Sequence, residues 1–248
     1  MKYIHYFFAY IIFIIELVLS VFFCIIPANI MKLFGAKKAS KNWYKKFAHA
    51  LASQVECLLN VKVHVIGEEN LPKDTGNLAF VANHQSLLDI VLIYGTLHLS
   101  PVPIAKVEVL KMPFIRSYAK GLDTILIDRK SPKSSMAAIH EATDRLVAGD
   151  QCIIFPEGTR SKNGKIGELK SGSYKMALRA NSTLVPIVIN GTRAALEEKK
   201  GWHRYHVYVQ VLPPVSLGEL DKFEKKAIAE QVSADIVSAY SNLPAIKK

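Results

Sequence analysis

Apolar residues crowd the beginning of the chain. Between residues 3 and 26, 21 of 24 positions are apolar or aromatic, and the exceptions are His5, Glu16 and Ser20. A helix of this length measures about 36 Å, against roughly 30 Å of hydrocarbon in a bilayer. A cleavable signal peptide has a shorter apolar core, of about 7–15 residues, that ends at small residues. This run is longer and leads into Pro27, so the pattern predicts a retained membrane helix.

A second helix is predicted at residues 42–60. Its apolar positions recur at helical spacing, and polar side chains line another face. The apolar stripe is Phe47, Leu51, Val55 and Leu58, and the polar stripe is Lys45, His49, Ser53, Glu56 and Asn60. The three polar residues of the first run also share a face, since spacings of 11 and 4 return to similar angles. We expect residues 1–60 to anchor the protein. The first helix either spans the bilayer or pairs with the second inside one leaflet, and the carboxylate of Glu16 in the middle of the run favours the second arrangement. The pattern fits an interfacial second helix and an ordinary domain helix equally well.

Beyond residue 60, short apolar runs alternate with amphipathic ones. Strands are predicted at 61–66, 78–82, 102–105, 124–127, 151–155, 184–189 and 207–212. Helices are predicted at 86–94, 107–119 with a break at Pro113, 134–148, 171–179 and 217–240. This alternation predicts an α/β fold, with a mixed, largely parallel sheet flanked by helices. We expect one domain over residues 61–248, with its ligand beyond the carboxyl ends of the strands.

The net charge indicates the kind of partner, and the cysteine content indicates the compartment. The 248 residues carry 32 Lys and Arg against 21 Asp and Glu, a net charge of +11 that favours anionic partners. No nucleic-acid-binding motif accompanies this charge. Three widely spaced cysteines exclude a disulfide framework and suit a reducing compartment. Lysines cluster after the first helix, which predicts a cytoplasmic position for this flank and all that follows; they are Lys32, Lys37, Lys38, Lys41, Lys45 and Lys46.

The most informative polar segment runs from Asn83 to Asp89, just past a predicted strand. Ser86 and Asp89 have the S-x-x-D spacing of a helix-capping box, which leaves His84 unexplained. The alternative is a general base, in which Asp89 holds one nitrogen of His84 and the other nitrogen faces an acceptor hydroxyl.

Further candidates follow other strands. Phe155-Pro156-Glu157-Gly158-Thr159-Arg160-Ser161 combines a glycine that permits close backbone approach with an arginine suited to phosphate. Lys106 and Arg129 come directly after two more strands. Each cation considered alone is typical of a solvated surface charge. Lys106, Arg129 and Arg160 together at one sheet edge would form a phosphate site. His203 and His206 have metal-pair spacing without a third ligand, which favours surface residues.

These segments resemble the glycerolipid acyltransferase family, most closely the bacterial 1-acyl-sn-glycerol-3-phosphate acyltransferases. The family's blocks occur in order over roughly residues 60–195. They are H-x4-D at His84 and Asp89, a second block from Lys106 to Arg129, the FPEGTRS segment, and Val185-Pro186-Ile187. One departure is Arg116, where many members carry glycine, and it puts the shape of the second block in question.

The resemblance implies transfer of a fatty acyl group from acyl carrier protein or coenzyme A to the 2-hydroxyl of lysophosphatidic acid. His84 would be the base and Asp89 would stabilise its imidazolium. Lys106, Arg129 and Arg160 would hold the phosphate, and Glu157, Gly158 and Thr159 would shape the acceptor site. No metal or other cofactor is expected. Membrane phospholipids are expected partners, and the inner membrane is the expected location, with the catalytic domain on its cytoplasmic face. The alternatives are a sister enzyme that acylates glycerol-3-phosphate or another lysolipid, and a non-catalytic basic lipid-binding protein.

Overall fold

A long helix opens the molecule. The computed structural model describes residues 2–74, 76–198, 203–218 and 220–244, with side chains from residue 7 onward, so the side chain of His5 lies outside the described part. Helix α1 (Lys2–Ser20) passes through a π-helical turn (Val21–Ile25) into α2 (Ile26–Leu33). Pro27 does not end the helix, because it sits in the first turn of α2. Trp43 Nε1 donates to the Phe23 carbonyl at 3.0 Å, which satisfies an acceptor of the π turn.

This first helix exposes apolar side chains along most of its length. The stretch Phe7–Leu33 has a mean hydropathy of 2.8, and by length and composition it could cross a membrane. Its exposed residues include Phe7, Phe8, Tyr10, Ile15, Phe22, Phe23, Ile30 and Leu33. So large an apolar surface is unsuited to water, and it indicates membrane association.

Helix α3 (Lys37–Leu58) returns antiparallel after a three-residue loop. Two residues of the stripe predicted as polar, His49 and Glu56, face the α/β region, while Ser53 is exposed. His49 Nδ1 bonds the Tyr94 carbonyl at 2.6 Å, and Glu56 Oε2 accepts from Thr96 Oγ1 at 2.8 Å. Tyr44 and Ala52 join a buried cluster of the α/β region. Since α3 shares this core, the predicted division at residue 60 stays a prediction.

Within the described residues, eight strands form one sheet at the centre of the molecule. Its strands are β1 (Val61–Ile66), β2 (Leu78–Ala82), β3 (Val102–Lys106), β4 (Ile125–Ile127), β5 (Cys152–Ile154), β6 (Thr183–Asn190), β7 (Tyr205–Val211) and β8 (Val215–Ser216). The order is β1-β7-β6-β2-β5-β3-β4, with β8 beside β6. Strands β6, β2, β5, β3 and β4 are parallel, while β7 and β8 run antiparallel to β6. The predicted α/β fold with a mixed, largely parallel sheet is confirmed.

Helices cover both faces of this sheet. They are α4 (Leu88–Gly95), α5 (Pro113–Gly121), α6 (Pro132–Val147), α7 (Lys175–Ala180), α8 (Thr192–Leu196) and α9 (Lys222–Asn242). Neighbouring residues of β2 point to opposite faces, as the strand pleat requires. Phe80 packs in the cluster with α3 and α4, and Val81 in the cluster with α6, α7 and α9.

Several predicted boundaries were wrong for local reasons. The helix predicted from Ser86 begins at Leu88, and the last helix begins at Lys222 rather than 217, because Asp221 forms a capping box with Glu224. Helix α8 and strand β8 were not predicted, since elements of five and two residues are too short to show periodicity.

Candidate active site

The predicted site residues follow the carboxyl ends of parallel strands. His84 follows β2, Lys106 ends β3, Arg129 follows β4 and Glu157 follows β5. Because these strands run in the same direction, their carboxyl ends form one edge of the sheet. Strand β2 lies near the middle of this edge, with β6 on one side and β5 on the other.

Asn83 fixes the position of the turn after β2. Its Nδ2 donates to the Ile189 carbonyl at 2.8 Å, and its Oδ1 accepts from the Ile189 amide at 2.7 Å. The fully buried side-chain amide of Asn83 therefore forms the pair of hydrogen bonds with β6 that a further strand residue would form through its backbone. This pairing holds the backbone where His84 emerges.

His84 and Asp89 form a hydrogen-bonded pair. His84 Nδ1 lies 2.7 Å from Asp89 Oδ2, and the His84 side chain is 19% exposed while Asp89 is fully buried. A carboxylate accepts only, so Nδ1 carries the proton in this bond and Nε2 of the neutral ring has a free lone pair. Among the described residues, Nε2 has no hydrogen-bond partner. The pair therefore has the geometry of a base with its orienting carboxylate.

Asp89 has more partners than the histidine. Its Oδ2 also accepts from the amides of Gln85 at 2.7 Å and Ser86 at 2.9 Å, and Oδ1 accepts from Thr192 Oγ1 at 2.6 Å. Asp89 Oδ2 thus binds the backbone of the turn before α4 and also orients His84. Only half of the predicted capping box forms, because the Ser86 hydroxyl accepts from the Leu88 amide and not from the Asp89 amide.

Phe155 supports the other side of the histidine. Its ring lies 4.2 Å from the His84 ring, centroid to centroid, at an interplanar angle of 22°. This stacking restricts rotation of the imidazole, so the ring is held by packing as well as by its hydrogen bond.

Glu157 supports the backbone beneath His84. Its Oε1 accepts from the His84 amide at 2.7 Å and its Oε2 from the Gly167 amide at 2.8 Å. Burial raises the pKa of Glu157, and the two amide hydrogen bonds act in the opposite direction. Because both oxygens are occupied, this carboxylate positions His84 and the loop that follows β5.

Gly158 allows the side chain of Arg129 to lie close against the loop that follows β5. Gly158 has φ of +70°, in the left-handed region that favours glycine, and a Cβ there would lie 3.2 Å from Arg129 Nη1. Burial lowers the pKa of Arg129 and nearby Glu108 opposes this shift, but a guanidinium remains charged at neutral pH. A cation therefore lies directly against the FPEGTRS segment.

The remaining predicted residues are exposed. Arg160 Nη1 lies 3.4 Å from Glu197 Oε1, and the same oxygen accepts from the Leu87 amide at 3.2 Å. Thr159 and Lys106 are exposed. Lys106 ends β3, two strand positions from β2 and so roughly 10 Å away at normal strand spacing. The structure thus brings Arg129 and Arg160 to the loops that follow β5 and β2, and leaves Lys106 at the end of β3.

Sequence reasoning missed a buried polar hub at Gln85. Its Oε1 accepts from the Gly191 amide at 3.0 Å, and its Nε2 donates to the Gly164 carbonyl at 3.0 Å and to Tyr240 Oη at 2.8 Å. Tyr240 also donates to the Gly164 carbonyl. This hub joins the loop after β5, the turn after β6 and helix α9. The sequence signal for Gly191 and Thr192 was a polar turn directly after a buried strand.

The suspected histidine pair is arranged differently. His206 lies beside His64, with His64 Nε2 and His206 Nδ1 2.8 Å apart on adjacent strands, while the His203 ring packs on Tyr205. Within the described residues, no three His, Cys, Asp or Glu side chains cluster to hold a metal ion.

The chain belongs to the acyltransferase family. The family model described as Acyltransferase matches residues 62–190, which is more than half of the sequence. The matched region contains the histidine–aspartate pair and the cation-bearing loops described above.

The similar proteins have a more specific activity in common. A 1-acyl-sn-glycerol-3-phosphate acyltransferase of Borreliella burgdorferi is 29% identical over 181 residues, covering 73% of this chain and 72% of that protein. A probable enzyme of the same name from Mycoplasma pneumoniae is 29% identical over 243 residues, covering 91% and 90%. The crystal structure of the 1-acyl-sn-glycerophosphate (LPA) acyltransferase PlsC of Thermotoga maritima matches with a TM-score of 0.77 and 27% identity, over 100% of this chain and 98% of that one.

Proposed function

We propose that the protein transfers a fatty acyl group from a thioester to the 2-hydroxyl of 1-acyl-sn-glycerol-3-phosphate, which forms phosphatidic acid. The observation that carries this proposal is the 2.7 Å bond between His84 and Asp89, with Nε2 free at the sheet edge that also carries the arginines. The similarity to 1-acyl-sn-glycerol-3-phosphate acyltransferases supports the choice of acceptor.

The chemistry follows from the position of His84, whose Nδ1 is bonded to Asp89 while Nε2 is open to the acceptor. Nε2 of His84 removes the proton of the 2-hydroxyl while its oxygen attacks the thioester carbonyl. The tetrahedral intermediate then expels the thiolate, which takes the proton from the imidazolium, so the enzyme ends in its starting state. Asp89 stabilises the imidazolium between these steps, and Thr192 and the amides around it hold the carboxylate in place. No covalent acyl-enzyme is required.

The cations at the site account for a phosphorylated acceptor. Arg129 and Arg160 provide two guanidinium forks for the phosphate, and Lys106 adds a point charge at the rim. Gly158 and Thr159 form the loop surface on which the acceptor lies. Arg160 is paired with Glu197 without ligand, so a dianionic phosphate exchanges for a single carboxylate when the acceptor binds.

The N-terminal helices would hold this site at its substrate. An acceptor with one long acyl chain stays in the bilayer, so an enzyme anchored there meets it in two dimensions. We place the protein at the inner membrane with residues 61–248 on the cytoplasmic side, where acyl carrier protein and coenzyme A thioesters occur. No metal or cofactor takes part. Extraction with alkaline carbonate tests the anchor: the protein should stay with the membrane, and its release intact would contradict stable insertion.

Acceptor profiling of the purified protein tests the proposed function. Each donor, acyl carrier protein or coenzyme A thioester, is offered with lysophosphatidic acid, glycerol-3-phosphate or lysophosphatidylcholine. We expect lysophosphatidic acid to give the highest kcat/KM with either donor. A preference for glycerol-3-phosphate or another lysolipid would show a sister acyltransferase. No transfer to any acceptor, with lipid binding retained, would show a non-catalytic lipid-binding protein.

A further inference from the structure

The segment between β3 and β4 exposes apolar and basic side chains together. Met112 is 46% exposed and Ile115 is 38% exposed. Met112 is the extended N-cap residue of α5, and Ile115 and the exposed Arg116 follow in the first turns of the helix. Lys111 precedes them and is also exposed. Among the described residues, neither Lys111 nor Arg116 forms an ion pair.

The C-terminal part of α5 packs against α3. Tyr118 packs on Tyr44 of α3, with ring centroids 5.8 Å apart, and a Cβ on Gly121 would lie 2.3 Å from the Tyr44 ring. Tyr44 belongs to the same buried cluster as Cys24 and Ala28 of the first helix. Helix α5 is therefore held beside the apolar N-terminal helix.

The same segment adjoins the proposed phosphate site. Lys106 ends β3 and is the residue directly before the 3-10 turn Val107–Lys111, which leads into Met112 and α5. Arg116, one position where the sequence departs from the pattern of many family members, is exposed in this segment.

We propose that Lys111, Met112, Ile115 and Arg116 form a second membrane contact, made by the catalytic domain itself with an anionic lipid surface. Met112 and Ile115 insert among the acyl chains at the interface, and Lys111 and Arg116 bind lipid phosphates. Exposed apolar side chains flanked by cations are the composition that binds an anionic interface. This contact sets the tilt of the domain on its anchor, so that the site opens towards the bilayer.

Depth-dependent fluorescence on the full chain tests this contact. An environment-sensitive dye is attached to Met112→Cys or Ile115→Cys in a Cys57→Ser background, since Cys24 and Cys152 are buried. The matched control is Phe223→Cys, because Phe223 is 83% exposed at the start of α9, away from this segment. The proteins also carry His84→Ala and are reconstituted in phosphatidylglycerol–phosphatidylcholine vesicles, so the result does not depend on turnover. We expect a blue shift and quenching by spin-labelled lipid at 112 and 115 and neither at 223. Equal signals at all three positions would overturn the proposal.

A charge reversal separates a lipid surface from an acidic carrier protein as the occupant. Lys111→Glu with Arg116→Glu should reduce the quenching at position 112 in anionic vesicles and leave it unchanged in phosphatidylcholine vesicles. In active protein, this double variant should raise the KM for vesicle-borne acceptor with either donor and leave kcat/KM unchanged for a monomeric short-chain acceptor. A loss confined to the acyl carrier protein donor, whatever the acceptor's form, would assign the surface to the carrier protein and refute the lipid contact.

Discussion

Thr192 donates a 2.6 Å hydrogen bond to the oxygen of Asp89 that does not face His84. The residues are far apart in the chain, but β6 and β2 are neighbouring parallel strands that end at the same edge. The bond fixes the rotation of the carboxylate, so Thr192 acts on His84 through Asp89. It is a positioning residue for the proposed base.

Thr192→Val should lower kcat by about tenfold, equivalent to ~1.4 kcal/mol of transition-state stabilisation. The methyl that replaces the hydroxyl cannot donate, so Asp89 keeps a buried oxygen without a partner. The measurement is steady-state transfer to lysophosphatidic acid, together with thermal unfolding. Thr192→Ser retains the hydroxyl and should restore most of the turnover. If both variants lose activity equally, the hydroxyl has no role in positioning.

Glu157→Gln should lower turnover by roughly ten- to a hundredfold, the range for a misplaced catalytic group. The two carboxylate oxygens accept from the His84 and Gly167 amides, and a glutamine amide has only one oxygen to offer. One N–H then faces the NH2 group, and the backbone of His84 shifts. Glu168→Gln, on an exposed neighbour in the same loop, is the matched control and should behave as the parent protein. Full activity of Glu157→Gln would contradict this support role.

Arg160→Ala should impair the use of lysophosphatidic acid more than the hydrolysis of the thioester without acceptor. The fold-increase in the KM for lysophosphatidic acid should exceed the fold-decrease in the rate of hydrolysis. The guanidinium is assigned to the phosphate, and the thioester reaction with water does not use it. Both rates can be followed by release of free coenzyme A. Arg179→Ala removes an exposed arginine of α7 and serves as the control. Equal losses in the two reactions would refute the phosphate role.

Glu56→Gln should stabilise the protein at neutral pH. Burial raises the pKa of Glu56, while its bond from Thr96 lowers it less. A raised folded-state pKa means that the folded chain holds this proton more tightly than the unfolded chain. The protein therefore loses stability as the pH rises above 4.5, the ordinary pKa of the glutamate side chain, and Glu56 ionises. The variant does not ionise there. The difference in melting temperature from the parent should be largest at neutral pH and shrink below pH 4.5. A constant difference would contradict it.

Much of the fold could be predicted because most elements are periodic and end at recognisable residues. Strand β1 has its predicted bounds, and the helix break at Pro113 falls where expected. The direction of the α3 polar stripe could not be predicted. His49 and Glu56 are polar at helical spacing, which normally indicates a solvated face, but their partners Tyr94 and Thr96 lie on another element.

The site was predictable to the extent that it is local in sequence. His84 and Asp89 are five residues apart across a strand–helix turn, so their spacing suggested their contact. The contacts of Thr192 with Asp89 and of Gln85 with Tyr240 join residues more than a hundred positions apart in the sequence. They depend on which strands are neighbours in the sheet. A single sequence does not show which strands are neighbours, and so these contacts had to come from the structure.

The most direct test of the central claim is the turnover of His84→Ala with lysophosphatidic acid, measured beside His140→Ala. His140 is exposed on α6 and has no place in the site. If Nε2 of His84 is the base, its removal should lower kcat/KM by at least about a hundredfold, the low end for loss of a general base. His140→Ala should match the parent protein. A His84→Ala variant that folds normally and keeps parental turnover would contradict the assignment of His84.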